Sequence, residues 1–291
     1  MSTTDFFYPL VDDPYTQGEI ACANVLSDLY AMGITRCDHM LMILGVCLDM
    51  TPEEQEISTR EMIRGFNNKA AEAKTIITGG QSVFNDFPII GGVANTVLKD
   101  EEIIYPRNAR EGDVLVLTKA LGSRVIVNAY KWYKSNDEHW KKAKDLISVK
   151  DLERAYDICC GEMTSLNKTA AELMVKYKVH GGTDVTGFGI LGHTKNLAEA
   201  QERPVDLVIN TLPIIHRMLD IHDKVVNYKL TEGYAAETSG GILMIVPSDK
   251  VDQLLREFKE KENKEAWIIG EVVRGNKKAY IAKDFKTIEV S

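Results

Sequence analysis

The chain has 291 residues, 44% of them apolar, enough for one large domain or two ordinary ones with a sizeable core. Lys and Arg total 35 against 43 Asp and Glu, a formal net charge of −8. That balance argues against general nucleic-acid binding, which needs basic surface to displace counterions. The five cysteines are odd in number and include no C-x-x-C pair, which speaks against a disulfide framework or a zinc site and for a reducing compartment. No apolar run reaches the roughly 18 residues of a membrane span. The N-terminus lacks the basic and apolar regions of a signal peptide, so a cytoplasmic protein is expected.

Strands and helices alternate along the chain. Thr3 to Tyr8 is predicted as a short strand stopped by Pro9, and Gly18 to Met32 as a helix ended by Gly33. Met40 to Cys47 is a continuous apolar run, predicted as a buried strand. Thr51 with Pro52 behind it predicts an N-cap and a helix through Ala73. Lys74 to Thr78 is expected to be a strand running into Gly79-Gly80, and Ile89 to Leu98 another. Residues 99–112 are polar and turn-rich, and the domain boundary is placed there, dividing the chain into 1–108 and 109–291. Beyond it, strands are predicted at Asp113–Thr118, Leu207–Asn210, Gly241–Val246, Ala266–Val273 and Lys278–Ala282. Helices are predicted near Ser123–Trp132, Val149–Lys178 and Ile190–Glu202. The pattern is α+β in two subdomains.

Four features could carry chemistry. Asp5 sits beside Phe6 and Phe7 on a strand, where it either faces solvent or is costly to bury unpaired. On the first helix, Cys22, Val25, Leu26 and Leu29 share one face, while Asn24 and Asp28 lie four apart on the other among the small residues Ala21 and Ala31. Small neighbours leave room for a ligand or for another packed element. Thr78-Gly79-Gly80-Gln81-Ser82 follows a strand, and paired glycines can turn backbone N–H groups toward an anion or simply make a tight turn. No Walker A pattern exists. Gly181 to Gly189 places four glycines around Asp184 at the start of a helix, where unpaired N–H groups favour anions. Glu237-Thr238-Ser239-Gly240-Gly241 and the six histidines, which lack ligand spacing, are expected to be structural. Three Asp residues beside phosphate-permissive glycines suggest a Mg²⁺–nucleotide site, because Mg²⁺ takes one or two carboxylates together with phosphate oxygens.

These segments resemble selenophosphate synthetase. The likeness runs through Thr3–Tyr15, the block IACANVLSDLYAMG at 20–33, TGGQS at 78–82, GDVLVLT at 112–118, TDVTGFGILGH at 183–193, ETSGG at 237–241 and WIIG at 267–270. It implies an ATP- and Mg²⁺-dependent enzyme that makes selenophosphate from selenide, releasing AMP and phosphate. It implies the fold of aminoimidazole ribonucleotide synthetase, with an N-terminal α/β domain contributing to the β-barrel of a homodimer and a C-terminal α+β domain. By motif, Asp5, Asp28 and Asp184 fall on the family's metal and ATP-phosphate carboxylates. Gly79, Gly80, Gln81 and Ser82 fall on its nucleotide-binding loop, contributed across the dimer interface. The family's catalytic Cys or selenocysteine, its Lys and a Gly-Met-Asp motif all precede the Thr-Thr-Asp strand, which begins here at residue 3. The resemblance thus places the catalytic Cys or selenocysteine and the Lys upstream of Met1, and assigns no catalytic residue to the chain itself. It implies a chain cut short at its N-terminus and inactive as it stands, with a non-catalytic paralogue of regulatory or interaction role as the alternative.

Overall fold

The computed structural model describes residues 1–290 and consists of two sheets held together by one buried helix. The first sheet has the strand order β1 (Ser2–Phe7), β4 (Ile89–Asn95), β2 (His39–Cys47), β3 (Ile77–Asn85). Only β2 and β3 run parallel; β4 is antiparallel to both of its neighbours. Two helices cover one face, α1 (Pro14–Ala31) and α2 (Pro52–Glu72).

Helix α2 begins where its cap chemistry dictates. Thr51 accepts from Glu54 N–H at 3.3 Å and the Glu54 carboxylate accepts from Thr51 N–H at 2.9 Å, a reciprocal capping box with Pro52 behind it. Helix α1 starts earlier than the glycine at 18 suggests. Asp13 is its N-cap, accepting from Thr16 N–H at 2.8 Å, and Pro14 opens the first turn.

The second sheet has six strands in the order β10 (Ala279–Val290), β7 (Val205–Ile215), β9 (Trp267–Arg274), β5 (Val114–Leu117), β8 (Ile242–Val246), β6 (Gly181–Asp184). Every residue of β8 is buried, as a central strand covered on both faces requires. Around this sheet lie α3 (Ser123–Ser135), α4 (Glu138–Ala143), α5 (Val149–Thr164), α6 (Lys168–Tyr177), α7 (Gly189–Glu199), α8 (Met218–Lys224) and α9 (Val251–Glu262).

Three differences from the sequence expectation have physical causes. The predicted helix over 149–178 is two helices, α5 and α6, broken at Ser165–Asn167. Strand β7 extends five residues beyond the predicted Asn210 because it pairs along most of its length with β10. Helix α9 lies outside the predicted elements; it buries Val251, Leu254 and Phe258 on one face of an otherwise charged segment.

The orientation of the two sheets rests on α1. Ile20 packs into the core of the second half, whereas Ala21, Cys22, Val25, Leu26 and Leu29 pack into that of the first. A helix buried nearly all round is one enclosed by protein on several sides. Among the described residues no helix is long and apolar enough to cross a membrane.

Candidate active site

Strand β1 alternates exposed and half-buried residues, so Thr3, Asp5 and Phe7 share the face turned toward α1. Asp5 is therefore on an edge strand but not on its solvent face. Burial, and then repulsion from Asp28, push its carboxyl up to about 6. The Thr3 hydroxyl, one step along the same face, donates to Asp28 Oδ2.

On α1 the small-residue face does not stand open for a ligand. Ala21, Asn24 and Ala31 are buried, and Asn24 Oδ1 accepts from the Ser239 N–H at 3.1 Å. The small side chains let the second half of the molecule approach. Only Asp28 emerges from this face, at the wall of a cleft of about 340 Å³ that it shares with Thr3, Gly182, Thr183 and Asp184.

Met1 also lines this cleft. The pairing of β1 with β4 brings Met1 to the cleft mouth. The Met1 ammonium donates to the Thr96 carbonyl at 2.8 Å, and Thr96 N–H donates back to the Met1 carbonyl at 3.0 Å. The Met1 side chain is exposed and is neither an acid, a base nor a nucleophile, so Met1 forms wall rather than catalytic machinery.

Asp184 closes strand β6 and is 6% exposed. Its carboxyl is pushed up to about 7, first by burial, then by Asp28 and more weakly by Asp5, with the Ser27 hydroxyl pulling the other way. The three aspartates thus feel one another, and the buried Lys119, which feels the Asp184 charge, is committed to the Ser165 and Ser239 carbonyls. Among the described residues no three His, Cys, Asp or Glu side chains converge enough to chelate a metal by themselves. The donors are all hard oxygens with spare negative charge. They suit an ion that takes one or two carboxylates and completes its shell from phosphate and water, as Mg²⁺ does.

Beyond Asp184 the chain turns through Thr186 into α7. Thr186 N–H donates to His193 Nε2 at 3.0 Å, so the neutral ring carries its proton on Nδ1. Burial holds the His193 pKa down, against the pull of Asp28. Ligand spacing does not reveal this histidine, because its ring accepts from loop backbone.

Gly79, Gly80, Gln81 and Ser82 are not a loop after a strand; they form the middle of β3, on the sheet's free edge. Gly80 has φ +144°, and a Cβ there would lie 1.9 Å from Met42 O. Strand pairing with β2, shifted by an irregularity between Met40 and Leu41, accounts for the residue better than a turn does. These four residues are also far from the cleft within one chain. The register runs Asp5, Gly92, Met42, Gly80 straight across the sheet. Three strand spacings separate Asp5 from Gly80 by about 14 Å.

The structural reading of residues 237–241 gains a definite content. The Glu237 carboxylate accepts from Gly122 N–H at 2.7 Å, Ser123 N–H at 2.9 Å and the Ser123 hydroxyl at 2.5 Å, capping α3, which has no side-chain cap of its own.

Residues 1–97 match the family model described as AIR synthase related protein, N-terminal domain, and residues 110–283 match its C-terminal domain. A selenide, water dikinase of Dictyostelium discoideum is 47% identical, aligned over all of this chain and 82% of that protein. The chain belongs to the selenide, water dikinase family. Human selenide, water dikinase 2 is 49% identical over the whole chain, which spans 65% of that relative's length. A thiamine-monophosphate kinase from Stenotrophomonas maltophilia shares the fold at TM-score 0.71 and 16% identity, over 97% of this chain and 84% of its own. A hydrogenase maturation protein HypE, solved in complex with ATP, shares it at TM-score 0.70 and 12% identity, over 97% and 81%. The family thus has the AIR synthase-like fold, two domains with mixed sheets and helices.

Proposed function

We propose that this chain is the ATP-binding body of a selenide, water dikinase, which converts ATP, selenide and water to selenophosphate, AMP and phosphate. The observation that carries this reading is the convergence of Asp5, Asp28 and Asp184 near one cleft, with the Asp5 and Asp184 carboxyl pKa values raised by burial and by repulsion among the three. A site that gathers mutually repelling carboxyl groups suits a positive ligand.

In this reading Asp5, Asp28 and Asp184 hold Mg²⁺ together with the ATP phosphates. When bound, Mg²⁺ supplies charge neutralisation for the phosphates. Asp28 and Asp184 supply fixed oxygen donors at the cleft wall, Thr3 orients Asp28 through its hydroxyl, and His193 holds the turn after Asp184. Gly79, Gly80, Gln81 and Ser82 contact the nucleotide.

The chain acts as a homodimer, and the sheet geometry supports this. Among the described residues both edges of the four-stranded sheet are free, and they carry exposed Phe6, Val83 and Phe84. Closing two such sheets against each other into a barrel brings β3 of one protomer beside β1 of its partner, uniting residues that lie about 14 Å apart in one chain. The domain division falls at the linker: residues 1–108 bind nucleotide and dimerise, and 109–291 form the α+β unit that adds Asp184 to the site.

Calorimetric titration of Mg²⁺–ATP into the wild type, Asp28→Ala and Asp184→Ala tests the site. Each substitution is expected to weaken binding on the order of 100-fold, about 2.7 kcal/mol. Unchanged affinity in both removes them from the site. Selenide-dependent selenophosphate formation, followed by phosphorus NMR, tests the reaction.

A further inference from the structure

Asn167 stands at the N-cap of α6 but makes no side-chain capping bond to it. An Asn at this position ordinarily contributes about 1 kcal/mol by accepting from the first turn. Here the side chain is turned to other segments. Its amide nitrogen donates to Ser27 Oγ at 3.0 Å and to the Gly240 carbonyl at 2.8 Å, and the residue is 5% exposed. Both amide hydrogens are used, one on α1 and one on the turn before β8.

The first bond acts on Asp184 through Ser27. A serine hydroxyl has one proton and two lone pairs. With Asn167 occupying a lone pair, the Ser27 proton is directed to another acceptor, and the Asp184 carboxyl lies within its reach. The second bond acts through the backbone. A Cβ on Gly240 would lie 2.1 Å from Val185 O, and Val185 N–H donates to Gly241 O at 3.0 Å, so the turn is pressed directly against the residue after Asp184. The turn is held from two further sides. Asn24 accepts from Ser239 N–H, and buried Lys119 donates from Nζ to the Ser239 and Ser165 carbonyls, each at 2.9 Å.

We propose that Asn167 and Ser27 are positioning residues that hold the Asp184 carboxyl toward the cleft for a divalent cation. The proposal rests on the reading of the cleft as a metal–nucleotide site and adds the residues that give its most buried ligand a direction. Hydrogen-bond partners of metal-binding side chains are worth roughly 10- to 100-fold in metal affinity. Asn167 forgoes a cap to serve two contacts, one on Ser27 and one on the turn packed against Val185, which a residue concerned only with helix stability would not do.

The test uses the full chain and Mn²⁺ alone as the probe, with free Mn²⁺ measured by electron paramagnetic resonance. The variants are Ser27→Ala, Ser27→Thr, Asn167→Ala and the double Ser27→Ala/Asn167→Ala, each also melted without metal. Ser27→Ala and Asn167→Ala are expected to weaken Mn²⁺ binding about tenfold. The double variant is expected to be little worse than the weaker single, because the two residues act in series. Ser27→Thr, which keeps the hydroxyl, is expected to retain wild-type affinity. Wild-type Mn²⁺ affinity in Ser27→Ala and Asn167→Ala overturns the positioning role, as does a Ser27→Thr variant as weak as Ser27→Ala. Ser27→Ala keeps the helix intact and carries the test even where Asn167→Ala fails to fold. A wild type that binds no Mn²⁺ overturns the reading of the cleft itself, and is distinguished by being independent of any substitution.

Discussion

The cleft around Asp28 and Asp184 and the free edge at Gly79–Ser82 differ in how much of their surroundings one chain supplies. Around the cleft each group has a defined neighbour: Thr3 for Asp28, Ser27 for Asp184, His193 for the turn that follows. Along β3 every residue from Thr78 to Phe84 is half-buried or exposed, and Gln81 donates only to the adjacent Ser82 carbonyl. The cleft is preorganised by intramolecular bonds. The edge keeps unpaired backbone groups and exposed apolar side chains, which is the condition natural sheets ordinarily avoid unless something covers it.

The sharpest way to break this contrast is to charge the edge. Phe84→Asp is expected to weaken self-association by about 30-fold or more in sedimentation velocity, the cost of losing an apolar anchor of about 2 kcal/mol. Mg²⁺–ATP affinity is expected to fall with it, although no residue of the cleft has changed. Intact nucleotide affinity in a monomeric Phe84→Asp would show that the cleft is sufficient alone.

Gly80→Ala comes next. Its methyl group meets the Met42 carbonyl, and φ is unfavourable to an L side chain, so about 3 kcal/mol of stability is expected to go. For a chain of this size that lowers the thermal midpoint by roughly 6 to 12 °C in circular dichroism. A normal midpoint would mean that the strand tolerates the change and that the glycine serves the ligand instead.

The most local effect probes the preorganised side. Burial holds the Glu237 carboxyl at about 7, above its ordinary 4.5, despite three donors. Between those values the folded protein keeps a proton that the unfolded chain has lost. This group's contribution to stability is therefore full below pH 4.5 and declines as pH rises to 7. Glu237→Gln has no such proton. Its midpoint relative to wild type should climb across that window, by a free energy on the order of 3 kcal/mol. A flat difference would show the carboxyl to be ionised throughout.

What was legible in the sequence is what local chemistry decides. The start of α2 follows from Thr51, Pro52 and Glu54, which need no distant partner. Strand β2 follows from an unbroken apolar run. Asp28 and Asp184 could be singled out because a carboxylate among small or glycine residues is unusual at a surface, and Asp5 because it stands beside two aromatics on a strand. The break between α5 and α6 was not legible, since Ser165-Leu166-Asn167 contains neither Gly nor Pro and the Asn167 bonds that shape it go to residues 27 and 240. Gly79–Ser82 eludes a local reading for a related reason. Two glycines locally favour a turn, and only the neighbouring strand, 38 residues away at Met42, holds them extended. The place of Met1 at the cleft is equally non-local, because it follows from a partner 95 residues on, at Thr96.

The row Asp5, Gly92, Met42, Gly80 has a genetic consequence. If each complete site draws its acids from one protomer and its β3 from the other, two different inactive chains can rescue each other. A protomer lacking Asp28 paired with one damaged at Gln81 yields one site with both lesions and one with neither. Co-expressed, the two variants would recover up to half the nucleotide sites in mixed dimers, whereas two lesions within the cleft would never complement.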